Sequence, residues 1–153
     1  MPELELNKLL ADAADEVLST MFFAMLDPPA LPPEDAFAKQ VRVGFWGHAT
    51  GALTLSASPE ATVEMTANFL GMDSEPPPPA AEQEAVVKEL ANMICGAVLS
   101  RLENTDVLHL GAPEVLAAVD AAAIDPPASA MAEQLFSLGA GFLRLRFQWD
   151  GAL

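Results

Sequence analysis

Glu82 to Glu103 reads EQEAVVKELANMICGAVLSRLE, with the periodicity of an amphipathic helix. At about 100° per residue, Val86, Val87, Leu90, Met93, Ile94, Ala97 and Val98 fall on one broad apolar arc. Lys88, Glu89, Asn92, Gly96, Ser100 and Glu103 fill the opposite one, with Leu99 among them. Glu89 and Asn92 are three residues apart, so the carboxylate and the amide point the same way. Asparagine is a mediocre helix former that prefers caps and turns, and a glycine inside a helix costs about 1 kcal/mol relative to alanine. Both sit in the middle of the polar face, as they would where another surface must come close. On pattern alone, the pair also reads as two solvated side chains of an ordinary surface helix.

Upstream, Leu6, Leu9, Leu10, Ala13, Val17, Met21 and Met25 recur at helical spacing and predict a long first helix from Glu3 to Met25. The proline-dense DPPALPPEDA ends it. In QVRVGFWGHATGALTLSAS, Val41, Val43 and Phe45 alternate with polar or small residues, as do Leu53 and Leu55 beyond the glycines, which predicts a β-hairpin. Ser58 as cap, Pro59 as first residue and Gly71 as terminator bound a short helix ending at Leu70. The SEPPPP tract from Ser74 to Pro79 is then an extended connector into the central helix.

Downstream, PEVLAAVDAAA reads locally as either strand or helix. Gln134 to Leu138 and the strictly alternating FLRLRFQW, Phe142 to Trp149, flank Gly139-Ala140-Gly141 as a second hairpin. The fold class is therefore α+β: a single domain of long helices packed on one mostly antiparallel β-sheet. The order of elements also falls into two halves, a degenerate internal repeat, in which Glu16 and Ser19 hold the spacing of Glu89 and Asn92.

Composition bounds the functions open to such a chain. A length of 153 residues with 52% hydrophobic residues fits one domain with a substantial core. Twenty-two acidic residues against 7 basic give a formal charge of −15, which repels nucleic acid and anionic lipid alike. The single cysteine, Cys95, cannot form an internal disulfide and lies at the edge of the apolar arc, as a small buried thiol would. MPELELNKLL lacks the basic flank and apolar core of a signal peptide, and no transmembrane span is visible, so a cytoplasmic location is expected. His48 and His109 belong to no metal or triad spacing and read as structural, and no phosphate-cradling glycine loop is present.

The stretch ELANMICGAVLSRL, with Met21 in LSTMF upstream, resembles the CheX branch of the CheC/CheX/FliY chemotaxis phosphatases. That family's signature is a helical Glu-x-x-Asn, here Glu89-Leu90-Ala91-Asn92; the likeness is sharp from about Val86 to Leu102 and covers the rest in outline. Two departures stand out: Ala85 takes a place where relatives commonly carry Asp or Ser, and Pro113 is a slightly early match for the family's proline. The resemblance implies a strand over Glu114 to Val119. It also implies dephosphorylation of the phosphoaspartate of a CheY-like response regulator, with Asn92 aligning the attacking water and Glu89 anchoring the regulator's lysine. Lys88, Gly96 and Leu99 would then contact the partner. No cofactor is expected on this chain, and Mg²⁺ is expected on the regulator. One working site per chain is expected, since Ser19 lacks the amide. A homodimer is expected if FLRLRFQW lies at a sheet edge. A non-catalytic module docking on a regulator or signalling complex through the same helix face is the alternative that Ala85 sustains.

Overall fold

The computed structural model describes residues 3–22, 36–102, 108–116 and 129–151. Three helices, α1 (Glu3–Met21), α2 (Pro59–Leu70) and α3 (Ala80–Arg101), accompany six strands. The strands are β1 (Lys39–Trp46), β2 (Thr50–Ala57), β3 (His109–Leu110), β4 (Glu114–Val115), β5 (Ala130–Leu138) and β6 (Gly141–Asp150). They form one sheet in the order β3-β1-β2-β6-β5, with β4 also pairing β1, and every pairing is antiparallel.

Strand alternation decides which face is covered. Val41, Val43 and Phe45 of β1, Leu53 and Leu55 of β2, and Leu143, Leu145, Phe147 and Trp149 of β6 are buried together under the helices. Leu6, Leu10, Ala13, Ala14, Val17 and Leu18 of α1 meet them from above, as do Val86, Val87, Leu90, Ile94 and Val98 of α3. Each long helix packs on strands of the other half: α1 lies on β5, and α3 on β1 and β2. The two helices pack against each other across that seam, which gives the degenerate repeat a spatial form.

The short helix is built as its sequence predicts. Ser58 is extended, and its hydroxyl accepts from Ala61 N at 3.3 Å and from Phe142 N at 2.9 Å, tying the start of α2 to β6. Gly71 closes the helix with φ of 66°, and its N–H reaches Asn68 O.

Three expectations change. The first helix is described to Met21, which is 44% exposed, because Phe22 takes the core position and stacks on Phe69 at 4.8 Å; Met25 lies outside the described residues. The strand expected from Glu114 to Val119 is β4 at Glu114–Val115, and residues 117–119 lie outside the described residues. The third concerns FLRLRFQW, which is not an edge. It forms the interior strand β6 between β2 and β5, since its alternating apolar residues are needed at the centre of the core. The sheet edge on that side is β5, where the Glu133 N–H is already bound by Asn7 Oδ1 at 3.0 Å.

Candidate functional site

α3 is enclosed on three sides, by α1, by α2, and by β1 and β2 beneath it. Its buried arc is accordingly wider than the apolar periodicity indicates and takes in Ala91 and Cys95 beside Val86, Val87, Leu90, Ile94 and Val98. What remains outside is a narrow strip running Ala85, Glu89, Asn92, Gly96, Ser100. Glu89 is exposed and Asn92 half-exposed, and side chains at this spacing have Cβ atoms about 5–6 Å apart on one helix face. The carboxylate and the amide are thus presented together toward solvent.

Among the described residues, neither Glu89 nor Asn92 has a hydrogen bond or ion pair, so no described neighbour uses their bonding capacity. Gly96 supports the same reading from the opposite direction. A Cβ built there meets nothing within 4 Å, so no internal contact requires glycine. Its helix-weakening cost is therefore unexplained by this chain's own packing.

Lys88 and Leu99 border the strip on its buried side and are both half-buried. Leu99 packs against the margin of the core, so only part of it borders the strip. Ala85, one turn before Glu89, is exposed and supplies only a methyl group where a hydrogen-bonding side chain would extend the polar row.

The counterpart on α1 is chemically different. Glu16 is ion-paired with Arg101 from the last turn of α3, and the Ser19 hydroxyl donates back to Glu16 O at 3.2 Å. That carboxylate is neutralised and that hydroxyl satisfied within the chain. Sequence reading found the spacing there and missed Arg101, because a contact between two helices leaves no local pattern.

Burial pushes the Cys95 thiol up to about 12, so it is a neutral core residue and no nucleophile. No group of three or more His, Cys, Asp or Glu gathers among the described residues to hold a metal ion, and no helix there is long and apolar enough to cross a membrane. The Glu89–Asn92 strip lies on the convex surface of a helix. Such a rod suits insertion into another molecule's cavity better than enclosure of a small substrate.

Comparison with known proteins agrees with this arrangement. Three solved structures share the fold: a chemotaxis protein CheX from Vibrio vulnificus (TM-score 0.74, 18% identity, 98% of this chain and 99% of that one); a putative chemotaxis protein from Desulfovibrio vulgaris (0.72, 21%, 95% and 97%); and a CheX–CheY–BeF₃–Mg²⁺ complex from Borrelia burgdorferi (0.69, 17%, 97% and 98%). A comparison with curated proteins gave no match. The family model of the chemotaxis phosphatase CheX matches residues 40–136, a span that takes in both β1–β2 and the whole of α3 with its Glu-x-x-Asn, and on that match the chain belongs to the CheX family.

Proposed function

We propose that this protein dephosphorylates the phosphoaspartate of a CheY-like response regulator by inserting the α3 strip into the regulator's active site. The observation that carries this reading is the joint exposure of Glu89 and Asn92, each without a partner among the described residues. A phosphoaspartate is a mixed anhydride that hydrolyses once water is aligned opposite the leaving carboxylate. Its transition state is loose, so positioning and charge stabilisation supply most of the catalysis. Asn92 accepts from one water hydrogen and donates to a phosphoryl oxygen or a second water, and being neutral it does not repel the phosphoryl group. A carboxylate at that position would.

Glu89, one turn earlier, pairs with the conserved lysine of the regulator's pocket and fixes the register in which the amide enters. A charge pair desolvated by docking constrains register more strongly than an exposed one. Gly96, one turn past Asn92, lets the partner's backbone approach the helix. Lys88 and the free part of Leu99 contact the rim. Mg²⁺ belongs to the regulator's own acidic pocket. The Borrelia relative was solved with CheY, BeF₃ and Mg²⁺, which supports a partner of this kind. We place the activity in the cytoplasm. A homodimer is proposed as well, and light scattering checks it.

The test is the decay of phosphorylated regulator with and without the protein. Acceleration at substoichiometric protein supports catalysis. Ala85 sustains one second reading, a non-catalytic module that docks through the same strip: stable binding independent of phosphorylation, with decay unchanged, identifies it.

A further inference from the structure

Docking through α3 brings a charge conflict with it. Under the phosphatase reading the Glu89 carboxylate enters a pocket that holds a phosphoryl anion, carried by a chain whose formal charge is −15. Like charges brought together as water is excluded repel strongly. The regulator's lysine answers Glu89, yet the phosphoryl group still meets an acidic protein. A cation beside Asn92 relieves that repulsion, and α3 carries one.

Lys88 stands four residues before Asn92, and Glu89 three before it. At about 100° per residue the lysine lies about 40° to one side of the amide and the carboxylate about 60° to the other. A helical side chain leans back over the preceding turn, so Asn92 covers the turn that Lys88 and Glu89 share. The three make a row across the helix, positive, neutral and negative, with the amide in the middle.

Lys88 also differs from most of the chain's cations in having its charge unused. Lys8 is bound to Asp12 at 2.8 Å, Arg101 to Glu16 and Arg146 to Glu133, and Arg144 is stacked over Phe37. Arg42 too has an interaction within the chain. Of the 7 basic residues, only Lys39, at the start of β1, and Lys88 have no hydrogen bond, ion pair or ring contact among the described residues. Lys88 has none although Glu84 precedes it by four residues, the spacing and order that favour a helical Glu–Lys pair. Its half-buried stem anchors the side chain and leaves the ammonium free to reach outward.

We propose that Lys88 is the residue by which this protein distinguishes a phosphorylated regulator from an unphosphorylated one. From the rim of the pocket its ammonium pairs with a phosphoryl oxygen beside the Asn92 amide and offsets the charge of Glu89. Phosphorylation adds about two negative charges to the regulator, and a compact ammonium on a flexible stem meets them as a point charge. The inference rests on the phosphatase reading and assigns the recognition of phosphoryl charge to a group outside the Glu-x-x-Asn pair.

The test is binding of the full chain to the CheY-like regulator, unloaded or loaded with beryllofluoride and Mg²⁺ as a stable stand-in for the phosphoryl group. Wild type, Lys88→Met and Lys88→Arg are compared at low and at physiological ionic strength, beside the decay assay of the wild type. Wild type is expected to prefer the loaded regulator, with a preference that shrinks as salt rises. Lys88→Met keeps the apolar stem and removes the charge. It should weaken binding of the loaded form about tenfold at low salt and leave the unloaded form unchanged, while Lys88→Arg keeps most of the preference. A lysine with a merely structural role would shift both forms alike. The inference is overturned if wild type shows no preference, or if Lys88→Met binds both forms as wild type does or loses affinity for both equally. With wild-type decay still accelerated, those results leave the phosphatase reading standing. A wild type that binds neither form and leaves decay unchanged overturns that reading and this inference together.

Discussion

Gly96 and Cys95 are adjacent in sequence and opposite in role. With nothing near a Cβ at position 96, Gly96→Ala should stabilise the protein by about 0.5–1 kcal/mol in urea titrations while slowing regulator dephosphorylation, because the added methyl group intrudes on the partner. Gain of stability with unchanged turnover would remove the close-approach argument. Cys95 makes a different prediction. Its folded value of about 12 lies above the unfolded thiol's 9.0, so the folded state holds its proton more tightly. The stabilisation is complete below pH 9 and is lost as pH rises from there toward 12. By pH 10 the loss from this group is on the order of 1 kcal/mol. Urea midpoints at pH 8 and pH 10 measure the slope, and Cys95→Ala should flatten it.

At the scale of elements, Ser58 joins three of them, and its loss leaves two backbone N–H groups, Ala61 and Phe142, without an acceptor. Ser58→Ala should therefore cost about 1–2 kcal/mol, read as a lowered thermal midpoint, whereas Ser58→Asp, which can still accept, should cost less if the buried site admits its charge. This junction also shows what was legible beforehand. The cap, the Pro59 start and the Gly71 stop are local chemistry, and all three stand where local rules put them. The two hairpins are legible for the same reason, since period-2 alternation broken by glycine needs no knowledge of distant contacts. The place of FLRLRFQW is not legible in that way. Whether an alternating strand lies at an edge or at the centre depends on which neighbours pair with it, and β2, which supplies one, is some ninety residues away in the chain. The Glu16–Arg101 pair escaped reading for the same reason.

Across the whole molecule, the arrangement assigns one face to each role. The helices and the sheet bury a common core, α3 is sunk between α1 and α2, and only a thin strip of it emerges. Most of that core can be tested through one side chain. Leu145, at the centre of β6 and fully buried, should cost 2–5 kcal/mol when cut to alanine, with a matching fall in the urea midpoint. Such packing holds the strip rigid, and rigidity is what water alignment requires, because a small misplacement of the amide forfeits much of the rate. The central claim is that Asn92 aligns the water while Glu89 holds the partner. The most direct measurement is the rate of phosphate loss from phosphorylated regulator at saturating protein, for wild type and Asn92→Ala, with binding measured alongside. The account predicts a fall of roughly a hundredfold in the saturated rate with affinity retained. Equal rates for the two proteins would contradict it.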